Sequence, residues 1–298
     1  MSASRHRAGY VAIVGRPNAG KSTLLNALVG QKVSITSRKA QTTRRRIVGI
    51  LTREDVQVVF VDTPGFPARR DTALNRLMNR SVIAGLHDVN AVLLVLDGMK
   101  ADRREVELRK AVPAAVPVVM AINKIDRIRN KSELLPFMRK IAQQLDCSRI
   151  VPVSASRGMG LDELVSVTAA LMPEGPALYA DDEITRSSER FLAAELIREK
   201  VFRTMGDELP YATAVDIARF ETRGGVRRIY AEILVDKESQ KPILIGRNGE
   251  KLKAIASRSR EDMERLFGGK VFLDVWVKVR RGWADDARAL RRLGYEEQ

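Results

Sequence analysis

Residues 15–23 combine glycines, a lysine and hydroxyl side chains in the pattern of a polyphosphate-binding loop. The segment consists of a glycine, four further residues and then Gly-Lys-Ser. Glycines at these positions let successive backbone N–H groups point inward at phosphate oxygens. Lys21 is expected to neutralise the β- and γ-phosphates, and the Ser22 hydroxyl to ligate Mg²⁺. Every residue of the loop is a candidate contact: Gly15, Arg16, Pro17, Asn18, Ala19, Gly20, Lys21, Ser22 and Thr23.

The residues on both sides of this loop support that interpretation. Residues 10–14 form an apolar run that suits a buried parallel strand, and residues 23–29 have the pattern of a helix. The positive N-terminal end of that helix would face the phosphates. A glycine-rich turn that binds nothing is the alternative, and the strand-loop-helix context argues against it.

A second group of candidate residues follows another apolar run, at residues 56–61. Asp62, Thr63, Pro64 and Gly65 come directly after it. The Asp62 carboxylate can hold Mg²⁺ through water, and the Gly65 amide can reach a γ-phosphate. Alone, these four residues would indicate a plain turn, but their place after a buried strand favours a nucleotide site.

A third group predicts which base the nucleotide carries. An apolar run at residues 116–122 ends in Asn123, Lys124, Ile125 and Asp126. The Asp126 carboxylate can accept two hydrogen bonds from the N1–H and exocyclic amine of guanine, whereas adenine offers no matching pair. This favours GTP over ATP. After the run at residues 150–153, the backbone amides of Ser154 and Ala155 are expected to face the guanine O6.

Apolar runs alternate with amphipathic segments from residue 10 to about residue 171. This alternation predicts an α/β fold, with a mostly parallel six-stranded sheet, flanking helices and ligands at the carboxyl ends of the strands. Only residues 52–55 separate the second strand from the third, which is too short for a helical crossover, so that pair should be antiparallel. The strands are predicted at residues 11–14, 46–51, 56–61, 91–96, 116–122 and 150–153.

Taken in order, these motifs resemble those of Ras-like GTPases of the translation-factor class, and the resemblance covers residues from about 9 to 172. It implies a P-loop GTPase domain that hydrolyses GTP to GDP and phosphate with Mg²⁺. It also implies a Mg²⁺-binding threonine in residues 41–44, where Thr43 is preferred over Thr42 by comparison with relatives that have a paired threonine; a polar loop with no ligand role is the alternative. The implied metal ligands are Ser22, Thr43 and Asp62, and the implied catalytic residues are Lys21, Asn18, Thr43 and Gly65.

One departure from the Ras pattern bears on the reaction. The position after Gly65 is Phe66, which cannot orient a water molecule as the glutamine of Ras-type enzymes does. Intrinsic hydrolysis should therefore be slow. Relatives with an apolar residue at this place often have an asparagine in the phosphate loop that helps to hold K⁺, and Asn18 matches it. The resemblance implies K⁺-stimulated hydrolysis.

Beyond residue 188 the pattern changes to that of a smaller α+β domain. The order of elements resembles a type II KH domain, the bacterial topology, with the turn at residues 246–249 placed before the long helix. Glycines there let the backbone approach a nucleic-acid backbone, beside a groove for about four single-stranded bases. The elements are a helix at 188–204, strands at 211–220 and 227–235, a short apolar segment at 241–245, a helix at 250–267 and a strand at 270–279.

This turn is the candidate RNA-binding site. The glycine spacing alone is weak, and a helix–helix turn used for protein contact is the alternative, but basic residues close to it favour RNA. The predicted RNA-binding residues are Gly246, Arg247, Asn248, Gly249, Lys251 and Lys253.

The predicted boundaries are a GTPase domain at residues 1–172, a linker at 173–190, a KH domain at 191–280 and a C-terminal helical tail at 281–298. Prolines, a glycine and an acidic cluster predict an extended linker. Two tryptophans, Trp276 and Trp283, lie towards the C-terminus, and periodicity favours packing over base stacking for both.

The whole arrangement resembles the Era family of bacterial GTPases. The resemblance implies a monomer that binds single-stranded RNA near the 3′ end of the small-subunit ribosomal RNA and acts in assembly of the small ribosomal subunit. Two alternatives stay open. One is an RNA-binding scaffold that holds nucleotide but scarcely hydrolyses it, and the other is a GTPase of the membrane surface.

Charge and cysteine content indicate the kind of partner and the compartment of this protein. The formal net charge of +15 and pI near 10.2 point to nucleic acid or an anionic membrane surface as a partner, with a solvated basic face as the alternative. The single cysteine, Cys147, excludes an intramolecular disulfide and fits a reducing cytosol. No run in the sequence approaches the ~20 apolar residues that a membrane-spanning helix needs, and the N-terminus lacks the apolar core of a signal peptide. We therefore expect a cytoplasmic protein, with peripheral lipid contact left open by charge alone.

Overall fold

The computed structural model describes residues 6–37, 39, 42–66, 72–206 and 209–295. The chain forms two compact units. The first contains residues 1–34, 43–69 and 78–186, and the second contains residues 35–42, 70–77 and 187–298. The second unit thus includes two segments from the N-terminal half of the sequence.

A six-stranded sheet forms the centre of the first unit, in the order β2-β3-β1-β4-β5-β6. All neighbouring strands are parallel except β2 and β3, which are antiparallel, so both predictions for this sheet are confirmed. The strands are β1 Arg7–Gly15, β2 Ile47–Arg53, β3 Val56–Asp62, β4 Ala91–Asp97, β5 Val118–Asn123 and β6 Arg149–Pro152.

Helices connect these strands and cover the sheet. One apolar cluster combines Val14 and Leu94 from the strands with Leu108 and Ile141 from the helices. Burial of this face of β1 and β4 holds the sheet in place, and it thereby positions the carboxyl ends of the strands. The helices are α1 Lys21–Val29, α2 Ala73–Ala84, of which residues 78–84 belong to this unit, α3 Arg103–Ala111, α4 Leu134–Leu145 and α5 Leu161–Ala169.

The segment after α5 belongs to the first unit as far as Arg186. Its main anchor is Gln57, a fully buried side chain of β3. The Gln57 Oε1 atom accepts hydrogen bonds from the backbone N–H groups of Leu178 (2.7 Å) and Tyr179 (2.9 Å), and Nε2 donates to the Tyr179 carbonyl at 3.0 Å. This part of the predicted linker is therefore bound to the sheet.

The second unit contains a three-stranded sheet in the order β7-β8-β9. Strands β7 and β8 are antiparallel and β8 and β9 are parallel, which is the topology of a type II KH domain. The long helix predicted at 250–267 has those bounds in the structure. The elements are α6 Glu189–Thr204, β7 Thr213–Arg223, β8 Val226–Val235, α7 Gln240–Ile245, α8 Glu250–Phe267, β9 Val271–Val279 and α9 Ala287–Arg292.

The core of this unit lies between the sheet and helices α6 and α8. Ile197 and Val201 of α6, Ile233 of β8 and Ile255 and Met263 of α8 belong to one buried cluster. Alternate residues of β8, at positions 229, 231, 233 and 235, belong to this cluster, as expected for a sheet with one face against the core.

Helix α6 is buried on more than this apolar side, because Thr36 and Thr42 also contact it. The Thr36 backbone N–H donates to Glu199 Oε1 at 3.0 Å, and the buried guanidinium of Arg198 donates to the Thr42 carbonyl. Arg198 also donates to Glu195, at 2.7 Å from Nε to Oε1. Buried charged groups need partners of this kind, and the loop supplies backbone partners for the helix.

Candidate nucleotide and RNA sites

The predicted phosphate-binding loop joins the end of β1 to the start of α1, so the N-terminus of that helix opens at the loop. Lys21 is buried, and its Nζ atom donates to the carbonyls of Gly15 (3.0 Å) and Arg16 (3.1 Å). The side chain thus lies across its own loop. Burial lowers the pKa of Lys21 to about 8, and the charge of Asp62 opposes the shift. An anionic phosphate next to Nζ would favour the charged form again.

Arg16 has a different role from its neighbours. Its guanidinium forms an ion pair with Asp102 at 2.9 Å and another with the buried Glu105 at 2.6 Å. Asp102 caps α3, where its side chain accepts from the Arg104 backbone N–H. The Arg16 side chain therefore holds the loop against α3, and only its backbone is left to meet phosphate.

Three oxygen-bearing side chains converge where a metal ion is predicted. Ser22 Oγ donates to Asp62 Oδ2 at 2.7 Å, and Thr43 Oγ1 lies 2.8 Å from Ser22 Oγ and 3.3 Å from Asp62 Oδ2. The neighbouring Thr42 has another partner, because its Oγ1 donates to the Lys39 carbonyl at 2.8 Å. Of the two threonines, Thr43 is the one that the chain places beside Ser22 and Asp62.

The Asp62 carboxylate ends β3 in a fully buried position. Burial raises its pKa, while the charge of Lys21 and the hydrogen bonds from the surrounding hydroxyls act in the opposite direction. Its Oδ1 atom has no hydrogen-bond partner among the residues that the structure describes. A buried carboxylate oxygen without a donor, with hydroxyl oxygens nearby, fits the all-oxygen coordination of Mg²⁺. Within the described parts of the chain, no group of three or more His, Cys, Asp or Glu side chains could hold a metal ion by itself.

Gly65 approaches the phosphate loop closely. A Cβ atom at this position would lie 2.9 Å from Pro17 Cα, closer than real side chains come to a backbone. Next to it, the Phe66 side chain is partly buried against the apolar cluster of the first unit. Phe66 is therefore a packing residue, which agrees with the absence of a water-orienting role.

The predicted base-binding residues lie together at the ends of β5 and β6. Asn123 Nδ2 donates to the Ala19 carbonyl at 2.9 Å, and Lys124 Nζ donates to the Asn18 carbonyl at 2.5 Å, so both tie this edge to the phosphate loop. Lys124 also pairs with Asp97 at 3.0 Å. The Asp126 carboxylate is exposed, as a group that must receive a base has to be.

The residues after β6 differ in part from the expectation. The Ala155 backbone N–H donates to Asn123 Oδ1 at 3.1 Å, and the Ser154 backbone N–H donates to the Met159 carbonyl at 3.0 Å. Both amides thus have acceptors within the chain. The Ser154 hydroxyl instead donates to Asp126 Oδ1 at 2.5 Å, which lowers the pKa of Asp126 and keeps its carboxylate ionised.

Sequence reasoning missed several of these partners. The Ser154 hydroxyl, the Asp97 carboxylate and the Ser34 hydroxyl, which donates to Asp62 Oδ2 at 3.1 Å, were not predicted. Asp97 ends β4 and could have been found from its place after an apolar run. Ser34 lies outside any motif, so the sequence contains no signal for it.

The predicted RNA-binding turn lies between α7 and α8. Gly246 has φ 78° and ψ 176°, and a Cβ there would lie 2.8 Å from Lys251 Cγ, so a side chain would displace that lysine. Arg247, Asn248 and Lys251 are exposed around the turn. This arrangement presents backbone and cations together, as binding of an RNA backbone requires. Lys253 is exposed as well, at the end of the first turn of α8.

The two tryptophans have different surroundings. Trp283 is 1% exposed, and its Nε1–H donates to the Ala212 carbonyl at 3.1 Å, so it is a packing residue. Trp276 on β9 is 36% exposed. In the part of the chain that the structure describes, no helix combines the length and apolar character needed to cross a membrane.

Comparisons with known proteins agree with both halves of this description. Residues 10–124 match the family model of the 50S ribosome-binding GTPases, and residues 208–284 match that of the KH domain. GTPase Era of Nitrosomonas eutropha is 54% identical over 296 residues, which cover 99% of this chain and 100% of that protein. The chain belongs to the Era family. GTPase Era of Chromobacterium violaceum is 49% identical over 296 residues, with 99% of this chain and 100% of the relative covered.

Solved structures of Era match the chain over 98% of its length and 100% of theirs. A single-substitution variant of Aquifex aeolicus Era bound to GDP·AlF4⁻ superposes with a TM-score of 0.92 at 38% identity. Era in complex with MgGDPNP and nucleotides 1506–1542 of 16S ribosomal RNA superposes with a TM-score of 0.93, also at 38% identity. This Era-family chain is therefore a GTPase with a P-loop domain and a KH domain.

Replacement of Asp126 by asparagine tests base recognition. Asp126→Asn should weaken GTP binding about 100-fold, because a hydrogen bond from the exocyclic amine to a charged acceptor is lost. The same variant should bind xanthosine triphosphate more tightly than the unmodified protein does, since an asparagine amide can donate to the xanthine oxygen. Competition against a fluorescent GDP analogue measures both affinities. Asp146→Asn, at a highly exposed carboxylate of the same unit, is the control. Equal GTP affinity in the two variants would contradict the role of Asp126.

The two adjacent threonines can be separated by parallel substitutions. Thr43→Val should weaken Mg²⁺-dependent binding of a non-hydrolysable GTP analogue about tenfold, because it removes a hydroxyl next to Asp62. Thr42→Val should leave that affinity close to the original value. Titration of Mg²⁺ at fixed nucleotide gives the comparison, and a larger loss in Thr42→Val would assign the metal to the other threonine.

Proposed function

We propose that this GTPase is a guanine-nucleotide switch that binds the single-stranded 3′ end of the small-subunit ribosomal RNA and acts in assembly of the small ribosomal subunit. The observation that carries this proposal is the match to the Era complex with MgGDPNP and nucleotides 1506–1542 of 16S ribosomal RNA. That structure matches nearly the whole chain, and the turn at residues 246–249, with the exposed side chains of Arg247 and Asn248, would contact the RNA backbone here.

The nucleotide side of the proposal rests on the geometry at the strand ends. Ser22, Thr43 and Asp62 would hold Mg²⁺, which shields the phosphate charge that develops when the γ-phosphoryl group leaves. Lys21 would contact the β- and γ-phosphates, and Gly65, close to Pro17, would offer its backbone N–H to the γ-phosphate.

The switch side of the proposal rests on residues 35–42. Thr43, in the first unit, directly follows Thr42, whose carbonyl is bound by Arg198 of α6 in the second. A γ-phosphate that orders Thr43 therefore acts on a segment held by the helix that begins the KH domain. We propose that this segment links nucleotide state to RNA affinity, with tighter RNA binding in the GTP form.

The hydrolysis side of the proposal concerns potassium. Phe66 packs into the apolar cluster and offers no hydrogen bond, so the attacking water needs another source of activation. Asn18 lies exposed in the phosphate loop with φ 65°. We propose that its side chain helps to hold K⁺ next to the transferred phosphoryl group and that intrinsic hydrolysis is slow.

The RNA site is tested by charge reversal at the turn. Arg247→Glu combined with Lys251→Glu should lower the affinity for a single-stranded oligonucleotide of the 3′-terminal rRNA sequence at least about 100-fold, because phosphate contacts become repulsive. Arg139→Glu with Lys140→Glu on α4 changes the net charge equally and should have little effect.

Fluorescence anisotropy should be recorded with GDP and with a non-hydrolysable GTP analogue. The unmodified chain should bind the oligonucleotide more tightly with the GTP analogue. Equal losses of RNA affinity in the two double variants would show that binding depends only on the overall charge of the protein. Equal affinity in the two nucleotide states would contradict the switch.

Cation dependence tests the proposed role of Asn18. Phosphate release by the unmodified chain should be several-fold faster in KCl than in NaCl of equal ionic strength. Asn18→Asp should abolish that difference and leave GDP affinity in NaCl nearly unchanged. Equal turnover in both salts, together with an unaffected Asn18→Asp variant, would show that potassium has no part in the reaction.

A further inference from the structure

The buried Asp62 carboxylate receives one hydrogen bond that no motif of the sequence explains. Three hydroxyl groups surround its Oδ2 atom, namely those of Ser22, Thr43 and Ser34. Two of the three are the proposed metal ligands. Ser34 is the third, and its side chain is 1% exposed, with Oγ 3.1 Å from Oδ2.

The backbone of Ser34 is fixed by Asn26, a residue of α1 one turn after Ser22. Asn26 Oδ1 accepts from the backbone N–H groups of Val33 (3.0 Å) and Ser34 (2.8 Å), and its Nδ2 donates to the Ser34 carbonyl at 2.7 Å. The oxygen and the nitrogen of one amide side chain thus both bond to the backbone of two successive residues. The loop after α1 is held to that helix, and the Ser34 hydroxyl is directed at Asp62.

We infer that Ser34 and Asn26 are positioning residues for the metal site. Donation to Oδ2 by Ser34 fixes the rotation of the carboxylate and leaves Oδ1, which has no hydrogen-bond partner among the described residues, to meet the water shell of Mg²⁺. The inference rests on the proposed role of Asp62 and extends it to two residues that lie outside the nucleotide motifs.

Ser34 differs from Thr43 in its place along the chain. Ser34 precedes residues 35–42 and belongs to the first unit, whereas Thr43 follows that segment. In its proposed role Thr43 would contact Mg²⁺ only when a γ-phosphate is bound, whereas the hydrogen bond from Ser34 to Asp62 involves no part of the nucleotide. Ser34 should therefore support Mg²⁺ equally in the GDP form and in the GTP form.

The test is a Mg²⁺ titration of nucleotide affinity, with fluorescent GDP and a fluorescent non-hydrolysable GTP analogue. Ser34→Ala should raise the Mg²⁺ concentration for half-maximal effect about tenfold with both nucleotides. Affinity in EDTA should stay at the level of the unmodified chain. Thr43→Val should show the shift with the GTP analogue alone.

Three further variants separate positioning from general damage. Ser34→Thr, which keeps the hydroxyl, should restore the titration. Asn26→Ala should reproduce the Ser34→Ala shift, and the double variant should be no worse than either, because the two residues act in series. Ser166→Ala removes a serine hydroxyl that donates to a backbone carbonyl in α5 and should change nothing.

The outcomes are distinguishable. A Ser34→Ala titration that superposes on the original, or a loss of affinity that is equally large in EDTA, overturns the inference. If the unmodified chain shows no Mg²⁺ dependence at all, the proposed metal role of Asp62 fails first. Should Ser34→Ala not fold, Ser34→Cys keeps the size of the side chain with a much weaker donor and answers the same question.

Discussion

The nucleotide site depends on opposite charges held out of water. Lys21 and Asp62 are both buried at the end of the sheet. Burial lowers the pKa of Lys21 and raises the pKa of Asp62, and both shifts favour the uncharged form. Each charge needs a partner there, and the partners within the chain are loop carbonyls for the lysine and hydroxyl groups for the carboxylate. In the proposed site, a phosphate and a divalent cation would satisfy both needs at once. Part of the binding energy for Mg²⁺-nucleotide would then come from charges that the fold has already desolvated.

The same principle extends into the second unit. Helix α6 has an apolar side in the KH core and, on another side, Glu195, Arg198 and Glu199, all buried. Arg198 pairs with Glu195, and Glu199 pairs with Lys200 and Arg203. The backbone of residues 36 and 42 supplies further hydrogen-bond partners. The segment before Thr43 is therefore more than a connection, because its peptide groups complete the hydrogen bonding of a buried helix. Loss of these contacts would remove hydrogen-bond partners from Arg198 and Glu199, and this would cost free energy because both side chains are buried.

Much of this architecture could be predicted from the sequence because its determinants are local. Apolar runs indicated the strands to within a few residues, the four-residue connection indicated the antiparallel pair, and the long helix from Glu250 had the expected bounds. The motif residues of the GTPase domain also lie together at the strand ends. What could not be predicted depends on distant pairing: Arg16 with α3, the Ser154 hydroxyl with Asp126, Gln57 with the segment after α5. A single polar residue outside a motif belongs to no periodic pattern and no characteristic spacing. Its hydrogen-bond partner can therefore be identified only from the tertiary structure.

The packing of Phe66 limits which residues can replace it. Its ring packs against the apolar cluster that covers the sheet, so a glutamine there would lose packing and bring an amide against aliphatic side chains. A water-orienting glutamine at position 66 would thus carry a cost in stability. Under the proposed K⁺-dependent mechanism, the duration of the GTP-bound state would be set from outside the protein, by the cation next to the transferred phosphoryl group.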